Sequence, residues 1–199
     1  ALLCSKVPSK IPRATIELAR IWWPLVITTN YDDLFVQQSH LSHDHKIRYS
    51  VLGRSQIDCT RLLLSMEQPS KPILWALHGF IGGQHFDKSC GYSLSNNSNL
   101  NLELVLGYRQ YLEVLHSTPH FLSTFTEVAR KRSLLFLGCS LTDPDLRLAI
   151  ERSTTLLGHS QYPHFAFLKQ GVVDVEFFRK RLNIEVIEFK SFQCLPRLI

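Results

Sequence analysis

Short, uninterrupted apolar runs recur along this chain, separated by stretches of helical spacing. No other feature constrains its fold as tightly. The clearest runs are Leu25-Val-Ile-Thr-Thr29, Pro72-Ile-Leu-Trp-Ala-Leu77 and Ser133-Leu-Leu-Phe-Leu-Gly138, followed by His164 to Leu168 and Ile184 to Phe189. A strand that is apolar at every position, not at alternate ones, must be buried on both faces, which is the signature of a parallel sheet. Alternation at Ile47, Tyr49 and Val51, closed by Gly53, predicts one further strand. Helical patterns are predicted over Pro12 to Ile21, Asn30 to Gln38, Leu102 to Leu115, Pro119 to Arg130, Pro144 to Leu156 and Val172 to Leu182. Ser39 to Lys46 reads as a polar surface loop, and Phe80 to Asn101, rich in Gly, Ser and Asn, as a long excursion or lid. The expected architecture is therefore α/β, one domain over 1–199, with a mostly parallel sheet and helices on both faces.

Composition excludes several classes. A hydrophobic fraction of 45% and a charged fraction of 20% suit a globular chain and leave no case for disorder. No apolar run approaches the roughly 18 residues that span a bilayer, and Pro24 interrupts the longest, so no membrane role is expected. Ala1 to Lys6 lacks the pattern of a secretory leader, and the first residue is not Met, so the chain is expected to be incomplete at its N-terminus. The net charge of +5 is scattered. Its clusters, Arg130 to Arg132 and Arg179 to Arg181, close helical patterns, where cations complement the helix dipole, so nucleic acid is not an expected partner. The five cysteines form no C-x-x-C pair, which argues against a disulfide framework and a cysteine zinc site and for a cytoplasmic location.

In a parallel sheet, ligands bind beyond the carboxyl ends of the strands. The three best runs end in Thr28-Thr29-Asn30-Tyr31-Asp32-Asp33, in His78-Gly79, and in Gly138-Cys139-Ser140-Leu141-Thr142-Asp143-Pro144-Asp145. Asn30 and the two aspartates suit helix capping, but an uncharged amide at a strand end can also orient a water or a ribose hydroxyl. An imidazole at His78, followed by a glycine that admits close approach, suits a general base as well as it suits a structural histidine. Asp143 and Pro144 suit an N-cap and a first helical position; Gly138 and Ser140 suit a turn that a dinucleotide passes closely.

Taken together, these segments resemble the sirtuin superfamily, and more closely its sirtuin-like NAD hydrolase branch from bacterial antiviral defence. That branch carries T-T-N-Y-D-D-L, matched by Thr28 to Leu34, then L-H-G, matched by Leu77 to Gly79, then G-x-S-L-x-D-P-D, matched by Gly138 to Asp145. The resemblance covers about Ala14 to Phe189 and implies a Rossmann-like fold. It implies cleavage of NAD, as substrate and not as a standing cofactor, to nicotinamide and ADP-ribose, with Asn30 as the catalytic amide and His78 as the catalytic histidine. Asp32 would contact the nicotinamide-side ribose. Thr29, Gly79, Gly138, Ser140 and Asp143 would complete the substrate-binding residues. A homo-oligomer and a fused or separate sensor domain are the partners that it implies.

This sequence departs from the family in two places. Between Gly79 and Gly138 there is no pair of C-x-x-C motifs of the kind that deacylating sirtuins use for zinc, since Cys90 stands alone, which disfavours deacylation. No Gly-rich phosphate loop lies in Ala1 to Pro24. The alternative reading is therefore a catalytically inactive module that binds nucleotide or assembles partners. Metal binding is not expected: the loop His40-Leu-Ser-His43-Asp44-His45 reads as solvated. Trp22, Trp23, Trp75, Phe177 and Phe178 are expected in the core or between helices, and Tyr108 and Tyr111 suit a pocket or a helix face equally.

Overall fold

The computed structural model describes residues 11–67, 69–82, 91–94, 100, 104–107, 119–139, 141, 144–157 and 162–199. The chain packs as two compact units, residues 1–118 with Ile199, and residues 119–198.

In the first unit α1 (Arg13–Ala19) leads into β1 (Leu25–Thr28), then α2 (Leu34–Ser42), β2 (Tyr49–Leu52), α3 (Gln56–Glu67), β3 (Ile73–Ala76) and β4 (Tyr92–Leu94). Among the described residues the sheet runs β1-β3-β2-β4, parallel at each pairing. The register explains the apolar runs. Val26, Leu74 and Val51 form one row across the sheet, and Tyr49 pairs with Tyr92 on the same face. With Ala76, Phe80, Leu100 and Val36 of α2 these residues form a buried core. Ile73, Trp75 and Leu52 alternate with them and are buried as well, so β3 is enclosed on both faces as its unbroken apolarity predicts. The Trp75 indole N–H donates to the Gly53 carbonyl at 2.8 Å, which satisfies the one polar atom of that large side chain.

The second unit contains α4 (Pro119–Lys131), β5 (Leu135–Phe136), α5 (Pro144–Leu157), β6 (His164–Lys169), α6 (Val175–Leu182), β7 (Ile184–Phe189) and a final 3₁₀ turn (Leu195–Arg197). Its sheet runs β5-β6-β7, again parallel. Helix α4 buries Phe121, Thr124, Phe125, Val128 and Ala129, the i, i+3, i+4, i+7, i+8 stripe of an amphipathic helix. It packs on α5, which packs on α6. Helix α6 begins at Asp174, whose carboxylate accepts the Phe177 N–H at 3.1 Å, and ends at Asn183 in the left-handed conformation. The fold class is the expected one, α/β and Rossmann-like with parallel sheets.

Several boundaries differ from expectation. Helix α2 starts at Leu34, not Asn30, and runs through Ser42, so the supposed surface loop begins inside it, with Ser39 and His40 buried. His40 is accommodated because its Nδ1 bonds the Ile47 carbonyl at 2.7 Å and its ring meets His45 edge-on at 4.7 Å. Helix α3 is not predicted by the periodicity. Asp58 is fully buried on it, while Ile57 and Leu64 are exposed, so its pattern is inverted at the positions that would reveal it. The excursion over Phe80 to Asn101 contains the edge strand β4. Residues 104–107 are not helical, and the rest of the helix expected over Leu102 to Leu115, with Tyr108 and Tyr111, lies outside the described residues. Only Leu135 and Phe136 of the third apolar run enter a ladder. Trp22 is 49% exposed and not core, whereas Phe177 lies between helices as expected, its ring under the Arg147 guanidinium of α5 at 5.1 Å. No helix among the described residues is long and apolar enough to cross a membrane.

Candidate active site

In the first unit Thr28, the last residue of β1, is paired with Ala76, the last residue of β3, and the Leu77 N–H continues the ladder to the Thr28 carbonyl at 2.8 Å. Asn30 and His78 each follow two residues beyond that shared pair. Two adjacent parallel strands, about 4.8 Å apart, thus lead into Asn30 and His78 at their carboxyl ends.

The exit from β1 is shaped by its own side chains. The Thr28 hydroxyl accepts the Asn30 N–H at 3.0 Å, turning the chain out of the strand. Asp32 accepts the Leu34 N–H at 3.1 Å and so performs the local capping work at the start of α2. Thr29, Asn30 and Asp32 are exposed. Asp33, the nominal N-cap, makes no capping bond. It is instead 7% exposed, and its Oδ2 accepts Gln37 Nε2 at 2.6 Å and the Tyr92 hydroxyl at 3.2 Å. An acidic doublet is the only sequence signal for this: one carboxylate suffices at the helix start, which leaves the other for the interior.

The exit from β3 is held from several sides. His78 is half-buried and Gly79 is buried with φ 88°, a conformation that glycine adopts without strain. The His78 carbonyl accepts the Val105 N–H at 3.1 Å, and the Ile81 N–H donates to the Tyr31 carbonyl at 2.8 Å. Phe80 is buried edge-on against Tyr92, with ring centroids 5.3 Å apart. Of the expected residues, then, Thr29, Asn30, Asp32, His78 and Gly79 share the ends of two paired strands.

In the second unit Gly138 follows β5 with φ 68° in open surroundings, so conformation and not crowding favours glycine there. Leu141 is also left-handed, at φ 51°, and its side chain is buried. Burial pushes the Cys139 thiol above its ordinary value, which suits a structural thiol better than a nucleophile. Ser140 and Asp143 lie outside the described residues. Helix α5 does start at Pro144, as the proline at a first helical position predicts. A further histidine, His164, is buried and pushed down to about 4 by desolvation, but it opens β6 at the amino end of the strand, away from where ligands bind such sheets.

Comparison with protein families matches the model of the SIR2-like domain over residues 24–189, across both units and all three motif segments. The chain belongs to the SIR2-like family. No curated protein matches it. Membership in the SIR2-like family points to NAD-related activity and agrees with the Rossmann-like fold.

Proposed function

We propose that this SIR2-like chain is an NAD glycohydrolase that cleaves NAD to nicotinamide and ADP-ribose and depletes it in antiviral defence. The observation that carries the reading is the matched placement of Asn30 and His78 beyond the Thr28–Ala76 pair. The bond that breaks joins the ribose anomeric carbon to the pyridinium nitrogen. Its electron pair leaves with nicotinamide, which departs neutral, and water adds to the anomeric carbon. Positive charge builds on the ribose in between, so the protein's task is to hold water and accept a proton, with no strong nucleophile required. Asn30 is suited to orient the water or a ribose hydroxyl, His78 to take the water's proton, and Asp32 to bind the ribose on the nicotinamide side. Thr29 and Gly79 line the same loops. Gly138, Ser140 and Asp143 are the further residues proposed to contact NAD.

Asn30→Ala and His78→Ala are each expected to abolish nicotinamide release while leaving circular dichroism unchanged. Activity retained in both would remove the assignment. Homo-oligomerisation and control by a sensor domain belong to the same proposal. If they hold, cleavage per chain rises with protein concentration or with the activating partner. A chain that binds NAD without cleaving it under those conditions would instead be the inactive binding module.

A further inference from the structure

The two strand-end loops are joined by a closed circuit of hydrogen bonds, and Tyr31 enters it twice. Its backbone carbonyl accepts the Ile81 N–H at 2.8 Å. Its phenol hydroxyl donates to the carbonyl of Val105, a residue 74 positions away in sequence. Val105 in turn donates its N–H to the His78 carbonyl at 3.1 Å, and the chain from His78 to Ile81 closes the circuit. Tyr31 is the immediate neighbour of Asn30, so the circuit runs from the residue beside the amide to the peptide of the histidine. Any residue at 31 supplies the carbonyl, but only a long side chain tipped with a donor reaches Val105. Val105 is buried and Tyr31 partly so, which protects this tie from competition by water.

We infer that Tyr31 is a positioning residue, which sets the spacing of His78 from Asn30 through the Val105 backbone. The inference rests on the NAD glycohydrolase reading for its consequence, though not for its geometry. Chemistry that depends on a held water and a placed base is sensitive to small displacements, whereas binding of a large substrate through many contacts is not. Removing the hydroxyl alone should therefore lower turnover and spare affinity.

The test is Tyr31→Phe in the whole chain, read by nicotinamide release from NAD over a range of NAD concentrations, with amide hydrogen exchange at Val105 measured alongside. The expected result is a fall in kcat of about ten- to a hundred-fold with KM unchanged within about two-fold, an unchanged circular dichroism spectrum, and faster exchange at the Val105 N–H. Unchanged kcat overturns the inference. So does a loss of fold together with activity, because the hydroxyl would then serve stability and not the site. Should the unaltered chain release no nicotinamide, the glycohydrolase reading fails separately, and the exchange rate decides the tie: unchanged exchange at Val105 refutes it, and faster exchange upholds it.

Discussion

His164 shows how burial alone decides the state of a side chain. Its Nδ1 accepts the Leu134 N–H at 3.1 Å, so the neutral ring is built into the second unit, and burial holds its pKa at about 4 against an ordinary 6.5. The unfolded chain takes up a proton in that interval and the folded one does not, so stability is full above pH 6.5 and declines as pH falls towards 4. At about 1.4 kcal/mol per pH unit the loss is capped at about 3 kcal/mol. His164→Asn keeps an acceptor and cannot titrate. Denaturant unfolding at about pH 7 and about pH 4.5, on either side of most of that interval, should therefore show a smaller acid loss in the variant than in the parent, and equal losses would contradict this account of the ring. At the same scale Asp32 and Asp33, adjacent and chemically identical, divide their work by burial: one caps and stays exposed, the other turns inward to Gln37 and Tyr92.

Among the elements, the close approach of the chain entering β4 to α2 is a sensitive contact. A Cβ placed on Gly91 would lie 2.4 Å from His40 Cβ and 2.8 Å from the Val36 carbonyl oxygen, while one on Gly107 would meet nothing within 4 Å. The helix backbone cannot yield as a side chain can, so Gly91→Ala should destabilise by about 1–3 kcal/mol or more, with Gly107→Ala near neutral. Equal midpoints for the two variants in denaturant would refute this packing. Asp174→Ala, which removes the cap of α6, should cost about 1 kcal/mol by the same measurement. Legibility in the sequence follows from the same physics. Strands enclosed on both faces, such as β3, and the amphipathic helix α4 are evident from apolar pattern alone. Helix α3 is not, because a buried Asp58 and exposed Ile57 and Leu64 oppose the pattern, and β4 is not, because a three-residue edge strand carries almost no period. The start of α2 is hard to place because residues that cap a helix and residues that leave a strand for a ligand site are of the same types.

For the whole molecule, the strand ends are legible as motifs but their partnership is not. Sequence order places Asn30 and His78 far apart, and only the direct pairing of β1 with β3, which passes over β2, sets them beyond the ends of adjacent strands. The tie from Tyr31 through Val105 leaves no local trace at all, since it depends on where a distant backbone carbonyl falls. The SIR2-like family match joins both units under one ancestry and makes NAD the molecule to test first. The most direct measurement is chromatographic quantification of nicotinamide and ADP-ribose after incubating NAD with the whole chain, beside Asn30→Ala. The account predicts equal amounts of both products from the parent and neither from the variant. Equal product formation by parent and variant would contradict it.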